Sequence, residues 1–168
     1  MNVTPTKALN VVDYGDASVI PTSIEHTMKI ITETASDVLK TSTLITLGGD
    51  HSITLPLLRA HAKKFGPLSV VHIDAHLDTW DTYFGAPFTH GTPFRRAAEE
   101  GLFDESCSMH VGIRGPLYSR DDLKNDAELG FKTIHCDEFE SQGVDAIAKR
   151  VRERVGDRPL YLSVDIDV

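Results

Sequence analysis

The sequence predicts an α/β protein with a mostly parallel sheet between two layers of helices, a three-layer α/β/α architecture. Short apolar runs alternate along the chain with segments whose apolar residues recur at helical spacing. Several of these apolar runs end in acidic and histidine residues. Because parallel strands joined by helices place their carboxyl ends at one edge of a sheet, polar residues that follow different strands are expected to meet there.

Six runs rich in apolar residues, bounded by glycine, proline or polar residues, are predicted to be strands. In chain order they cover residues 8–14, 44–47, 68–75, 109–113, 132–135 and 160–168. Five helices are predicted between them, the first with a capping Thr22 or Ser23 and with Glu25 in its first turn. In chain order the helices cover residues 22–40, 52–64, 92–100, 119–128 and 143–155.

The composition indicates one globular domain over residues 1–168, with 40% hydrophobic and 25% charged residues and no long apolar run. The net charge of −8 argues against nucleic acid as a partner. Cys107 and Cys136 form no CxxC pair, which is typical of reduced thiols inside a cell, and no signal peptide is recognisable. We therefore expect a cytoplasmic protein without a nucleic-acid or membrane partner.

Residues 69–81 contain the densest group of chemically active side chains. If this stretch is extended, its two-residue period places His72, Asp74, His76 and Asp78 on one face. Carboxylates and imidazoles crowded in this way repel one another and resist desolvation unless a cation compensates them, which favours a metal site. The alternative is a solvated acidic strand end in which a histidine pairs with a carboxylate.

Two further stretches add candidate ligands. Gly48 and Gly49 allow a sharp turn that presents His51, and Asp165 and Asp167 share one face of the last strand. His51 could equally cap a helix, and an Asp-x-Asp pair at a strand end is often a surface turn. The combined set of oxygen and nitrogen ligands is large enough for two divalent ions. It comprises His51, Asp74, His76, Asp78, Asp165 and Asp167.

Other polar residues are given supporting roles. Asp50 is expected to orient a ligand and not to bind metal. His72 shares the ligand face but lies deeper in the strand, where a hydrogen-bonded core histidine is favoured. His110 and His135 are expected to be structural, and Arg114 to anchor an internal ion pair or an interface.

Five motifs in order resemble the ureohydrolase family, and its agmatinase branch most. They are GGDHS at 48–52, DAHLD at 74–78, HGTPFRRA at 90–97, GIRG at 112–115 and SVDID at 163–167. The resemblance implies an arginase-like fold, a pair of Mn²⁺ ions and a homo-oligomer, either a trimer or a hexamer. By the family pattern Asp74 and Asp165 bridge the ions. His51 and Asp78 then complete one site, and His76 and Asp167 complete the other.

The implied reaction is hydrolysis of a small guanidino compound to urea and an amine, by attack of a metal-bridging hydroxide. In the HGTP motif, His90 is expected to donate a proton to the departing amine, although an exposed turn histidine is the simpler interpretation of this residue alone. The loop TWDTYFGAPFTHG is aromatic and lacks the Ser and Asn of arginase-like members. It therefore favours agmatine or guanidinobutyrate, with no choice between them.

Members of this family are longer than this chain. The resemblance implies a single partial ureohydrolase domain, truncated after the DID motif, whose sheet is incomplete at both ends. We expect the 168 residues alone to be inactive. Two alternatives stay open, namely a non-catalytic metal-stabilised subunit or pseudo-enzyme fragment, and a different hydrolase of the deacetylase or phosphoesterase type.

Overall fold

The computed structural model, which describes residues 3–168, contains one four-stranded parallel sheet. The strands lie in the order β3-β2-β1-β4, so that β1 is central and pairs with both β2 and β4. Their bounds are β1 Ser69–Ile73, β2 Met109–Ile113, β3 Lys132–His135 and β4 Leu160–Val164.

Helices connect the strands and cover both faces of the sheet. The bounds are α1 Pro5–Ala8, α2 Ile24–Val38, α3 Thr54–Phe65, α4 Pro93–Glu99, α5 Asp122–Glu128, α6 Asp137–Gln142 and α7 Val144–Val155, with a 3-10 helix at His51–Ile53. Ser23 caps α2 by accepting a hydrogen bond from the His26 N–H. α3 ends at Gly66, whose φ of 76° favours glycine.

Neighbouring residues of β1 belong to different hydrophobic clusters, which separates the two faces of the sheet. Val70 packs with Met28 of α2, Leu58 of α3 and Phe94 of α4. On the opposite face Val71 packs with residues of α7. The sheet and the helices on its two faces therefore form the three layers that the sequence predicts, and the predicted α/β/α class is confirmed.

The ends of two strands differ from the prediction. The strand predicted at 68–75 ends at Ile73, and the strand predicted at 160–168 ends at Val164. The last hydrogen bonds of the ladder join the Asp165 N–H to the Ile73 carbonyl and the Asp74 N–H to the Val111 carbonyl. Beyond them the chain turns, so the acidic motifs lie in turns at the carboxyl ends of β1 and β4.

The strands predicted at 8–14 and 44–47 are wrong: within residues 3–168 neither segment joins the sheet. A strand requires a partner for its backbone N–H and C=O groups, and these two segments have none in the sheet. Leu44 packs against a hydrophobic cluster, but other apolar side chains of these segments lie in solvent, since Val12 is 73% exposed and Leu47 is 95% exposed. The sequence also missed the short helices α1 and α6.

Candidate metal centre

Turns after β1 and β4 bring carboxylates and imidazoles together at one edge of the sheet. We call His51, Asp74 and Asp78 the inner group, and Asp74, His76 and Asp167 the outer group. In each group, the potential ligand atoms lie within 4.8 Å of one another. Asp74 belongs to both groups, and this makes it the centre of the site.

The inner group is buried and tightly hydrogen-bonded. His51 Nδ1 lies 2.6 Å from Asp78 Oδ2 and 3.5 Å from Asp74 Oδ2. Its other ring nitrogen, Nε2, lies 2.7 Å from the hydroxyl of Ser163 on β4. Burial opposes a charge on His51, but the hydrogen bond to Asp78 and the charges of Asp78, Asp74 and Asp165 outweigh it and raise the pKa of His51.

The turn before α3 presents the His51 side chain. Asp50 precedes the 3-10 helix, and its carboxylate accepts a hydrogen bond of 2.9 Å from the Ser52 N–H. A Cβ at Gly48 would lie 2.1 Å from the end of the Ile53 side chain, so a larger residue here would displace that side chain. Asp50 thus orients His51 through the backbone of the turn.

Asp74 is held by two hydrogen bonds, one to each carboxylate oxygen. Oδ2 accepts from the ring Nε2 of His72 at 2.7 Å, and Oδ1 accepts from the backbone N–H of His76 at 2.6 Å. Burial raises the pKa of Asp74, against the hydrogen bond from His76. One oxygen faces His51 and the other faces the His76 ring, so each has capacity for one cation.

The outer group is more exposed. His76 Nδ1 lies 3.1 Å from Asp167 Oδ2 and 3.4 Å from Asp74 Oδ1, and the side chains of His76 and Asp167 are 36% and 44% exposed. A Cβ at Gly115 would lie 2.5 Å from the His76 ring, so the end of β2 packs closely against this histidine. Arg114 donates to the Asp167 carbonyl and fixes the turn that carries the carboxylate.

Asp165 lies beside the two groups and is a member of neither. Its backbone N–H donates to the Ile73 carbonyl, and its carboxylate accepts a hydrogen bond of 3.1 Å from the Asp167 N–H. It is close enough for its charge to raise the pKa of His51 and Asp74. The structure therefore places five of the six candidate ligands in the two groups, and Asp165 supports the turn next to them.

His90 lies in the loop of residues 79–91, which begins directly after Asp78. The loop is closed by a hydrogen bond of 3.1 Å from the Trp80 N–H to the Gly91 carbonyl. The His90 ring is exposed and packs edge-to-face on Tyr83, with the ring centroids 4.9 Å apart. Its proton-transfer role stays a prediction.

The same loop forms one wall of an aromatic cleft of about 450 Å³. Trp80 stacks on Tyr83 at the cleft, and Tyr118 packs against Trp80 with the ring planes at 56°. The carboxylate of Asp122 is already engaged, because it accepts from the Trp80 ring N–H and from the Tyr118 backbone N–H. Arg95 adds a cation to the lining. A cleft with apolar walls and a few polar groups is typical of small-molecule sites.

The donor set fits a hard or borderline divalent cation. It consists of carboxylate oxygens and imidazole nitrogens without thiolate. His72 lies within reach of the inner group, but both of its ring nitrogens already form hydrogen bonds, to Asp74 and to His110. Burial lowers the pKa of His72 well below its usual value, which keeps the ring neutral. It therefore supports Asp74 and leaves the cation to the other residues.

Sequence reasoning gave no role to Ser163 and left that of Arg114 undecided. Ser163, on β4, precedes Asp165 and Asp167 at the two-residue period of the predicted strand, and this alternation was the available signal. Arg114 belongs to the GIRG motif, where it was expected to anchor an ion pair or an interface. Its hydrogen bond to a backbone carbonyl of the DID turn is a contact that no sequence pattern encodes.

Fold and site together define a parallel α/β protein with a candidate metal centre at the carboxyl ends of its strands. The model of the arginase family matches residues 1–168, and the chain belongs to this family. The predicted resemblance is thus confirmed. No helix among residues 3–168 has both the length and the apolar character to cross a lipid bilayer.

The chain is similar to three members of the family whose activities are named. It is 45% identical over 168 residues to a guanidinopropionase of Pseudomonas aeruginosa, covering 99% of this chain and 52% of that protein. It is 40% identical over 164 residues to a guanidinobutyrase of the same organism, covering 97% of this chain and 51% of that protein. The solved structure of proclavaminate amidino hydrolase from Streptomyces clavuligerus superposes with a TM-score of 0.93 at 39% identity, covering 99% and 56%. The chain thus spans about half the length of these relatives.

Proposed function

We propose that the full-length protein hydrolyses a small guanidino compound to urea and an amine. By full-length protein we mean the natural polypeptide that contains these residues. The observation that carries this proposal is the position of Asp74, whose two oxygens face two separate groups of ligands. One shared carboxylate between two imidazole-bearing groups suits a pair of divalent cations, with Mn²⁺ as the family's ion.

Each protein residue has a defined task in this proposal. His51 and Asp78 would hold one cation, His76 and Asp167 would hold the other, and Asp74 would serve both. We assign Asp165 as a second bridge, by the family pattern. The chemistry that the cations supply when bound is acidification of a shared water, which yields a nucleophile near neutral pH.

A guanidinium carbon is a poor electrophile because resonance stabilises it, so hydrolysis also requires a proton for the departing amine. His90 is assigned this step as general acid. Its support is its place in the loop that starts at the inner group, and the closure of that loop by the Trp80 to Gly91 hydrogen bond. A Cβ at Gly91 would lie 2.5 Å from the Trp80 ring, so glycine next to His90 permits this closure.

The substrate that we favour is a guanidino acid with a short alkyl chain, of the guanidinopropionate and guanidinobutyrate type. The aromatic cleft suits the alkyl chain, and Arg95 in its lining, which pairs with Glu99 through Nε, presents its guanidinium to the distal carboxylate. The guanidinopropionase and guanidinobutyrase relatives support the same class. Agmatine, whose distal group is a cation, is the alternative, since aromatic faces also bind cations.

The test is a urea-release assay on purified full-length protein reconstituted with Mn²⁺. Guanidinopropionate, guanidinobutyrate, agmatine and arginine are compared at equal concentration. We expect release from at least one guanidino acid and little from arginine. Two metal equivalents per chain, by elemental analysis, separate this site from a one-metal deacetylase-like site.

The variant His90→Ala assigns the proton donor. It is expected to keep its metal content and to slow turnover by about 10²- to 10⁴-fold, the usual effect of losing a general acid or base. Loss of metal would make His90 a ligand. Full metal content in the wild-type protein without urea release from any of the four compounds would favour a non-catalytic, metal-stabilised subunit.

Three further expectations concern the isolated chain, the oligomeric state and the location of the protein. The 168 residues alone are predicted to be inactive, because Asp165 and Asp167 lie directly after the edge strand β4. We also propose a homo-oligomer, either a trimer or a hexamer, and a cytoplasmic location. Urea release by the isolated chain, sedimentation of the full-length protein and cell fractionation test these three points.

A further inference from the structure

A continuous line of buried hydrogen bonds runs from Asp74 through two strands to α5. His72 Nε2 lies 2.7 Å from Asp74 Oδ2, and His72 Nδ1 lies 2.8 Å from Nδ1 of His110 on β2. His110 Nε2 in turn lies 3.0 Å from Asp126 Oδ1 on α5. All four side chains are at most 1% exposed. We call His72, His110 and Asp126 the buried relay.

Asp126 is an unusual residue for its helix. Of the 7 residues of α5, all within the described range, Asp126 alone is buried, and it is a carboxylate. Burying a carboxylate is costly unless it is paired and hydrogen-bonded. Asp126 accepts from Thr79 at 3.0 Å and from Thr133 at 3.4 Å, besides its contact with His110. Packing alone would be served by an apolar residue, so the carboxylate points to a polar task.

The relay fixes which nitrogen of His72 carries its proton. An ionised Asp74 can only accept, so the Nε2 of His72 carries the proton. The Nδ1 of neutral His72 then accepts, and the Nδ1 of His110 must donate. This order holds whether His110 carries two protons beside an ionised Asp126 or Asp126 itself donates to His110. Reversing it would aim a lone pair of His72 at Asp74.

Aromatic rings hold the two imidazoles in place. His110 stacks on Phe131, with the centroids 4.0 Å apart and the planes at 25°. His72 packs against Phe94 at 4.4 Å. These contacts exclude water and leave each ring few alternatives to its hydrogen bonds.

We propose that His110 and Asp126 are positioning residues for Asp74. Through His72 they hold the carboxylate in the orientation in which one oxygen faces each ligand group. Through Thr79, which is buried and follows Asp78 in the chain, Asp126 also fixes the start of the loop 79–91. The inference rests on the proposed metal centre, because His110 and Asp126 contact no candidate ligand themselves and act on Asp74 only through His72.

The experiment compares variants of the full-length protein by three measurements: the Mn²⁺ dissociation constant by calorimetry, the thermal unfolding midpoint without metal, and kcat and KM. His110→Phe keeps the aromatic stacking and removes both nitrogens. The double variant His110→Phe with Asp126→Leu also removes the carboxylate, which in His110→Phe keeps its two threonine partners but loses the imidazole. Asp126→Asn can donate its amide N–H to His110 and so preserve the proton order, whereas the single variant Asp126→Leu cannot. Glu128→Gln, an exposed residue of the same helix, is the control.

We expect His110→Phe and the double variant to bind Mn²⁺ about 10- to 100-fold more weakly, the usual effect of losing an outer partner of a metal ligand. The double variant should recover part of the unfolding midpoint lost in His110→Phe, because no buried carboxylate is left without its imidazole partner. Its Mn²⁺ affinity should not recover. Asp126→Asn is expected to lie nearer to the wild type than Asp126→Leu in affinity and kcat, and Glu128→Gln should match the wild type.

Wild-type Mn²⁺ affinity in the double variant would overturn the inference and leave the relay a packing feature. Equal losses in Asp126→Asn and Asp126→Leu would overturn the argument from proton order. If the wild-type protein binds Mn²⁺ but releases no urea, the proposed function fails, while weaker Mn²⁺ binding by the double variant still supports the relay. A wild-type protein that binds no divalent cation overturns both.

Discussion

The inner and outer ligand groups share Asp74 but are built in different ways. The side chains of the inner group, His51 and Asp78, are 9% and 8% exposed, whereas His76 and Asp167 of the outer group are 36% and 44% exposed. The inner group is enclosed by the elements around β1, and Ser163 of β4 hydrogen-bonds to its histidine. The outer group depends on the turn after β4, which Arg114 holds by a backbone carbonyl.

This difference indicates a division of tasks within one site. Buried and hydrogen-bonded side chains have few alternative rotamers, so the inner group is preorganised for a cation. The outer group faces solvent, where a second cation can enter and a substrate can approach. We therefore expect the inner group to bind its cation more tightly than the outer group.

The largest effect is expected from Asp74→Ala in the full-length protein. Because this carboxylate serves both groups, its loss should remove both metal equivalents. Elemental analysis after gel filtration measures the ratio. One full equivalent retained by the variant would show that Asp74 does not link the groups.

His51→Ala and His76→Ala should separate the groups, each with the loss of one metal equivalent. Without metal, His51→Ala is expected to reduce the free energy of unfolding by about 1–3 kcal/mol, because it leaves the buried Asp78 carboxylate and Ser163 without their partner. His76→Ala should cost only about 0–1 kcal/mol, as for exposed ion pairs. Urea denaturation measures both, with the exposed His135→Ala as control. Equal costs would mean that the burial difference has no energetic consequence.

A smaller effect is expected from Ser163→Ala. It removes the hydrogen bond to His51 Nε2 and leaves the ligand atoms unchanged. Binding of the tighter cation should weaken by about tenfold, the lower end of the range for such partners, with the weaker cation unaffected. Calorimetric titration resolves the two. A loss confined to the weaker cation would reverse our ranking of the two groups.

The smallest effect is a pH dependence of stability in the metal-free protein. Burial lowers the pKa of His51, but Asp78, Asp74 and Asp165 raise it overall, so the folded state holds this proton more tightly than the unfolded state does. The stabilisation is fully present below the unfolded pKa of about 6.5 and is lost as the pH rises through the higher folded value. Urea denaturation with chelator should show this decline in the wild type and a flatter profile in His51→Asn. An equal slope in both proteins would contradict it.

The family, the α/β class and the candidate ligands could be predicted from the sequence alone, because motifs and apolar spacing are local properties. The motifs are contiguous, and the spacing of apolar residues reports the helices α2, α3, α4, α5 and α7 and the four strands of the sheet without reference to the rest of the chain. It also predicted His72 to be a hydrogen-bonded core histidine, and in the structure both of its ring nitrogens form hydrogen bonds.

Which strands form and how the ligands are grouped depend on tertiary contacts between remote parts of the chain. Residues 44–47 have a strand-like composition but no partner in the sheet, and a strand cannot exist without one. His51 and Ser163 are separated by 112 positions, and His110 and Asp126 by 16, so neither contact leaves a local pattern. Asp74 likewise belongs to both ligand groups because β1, β2 and β4 end side by side. Only packing of the whole sheet fixes the distances between side chains that are remote in sequence.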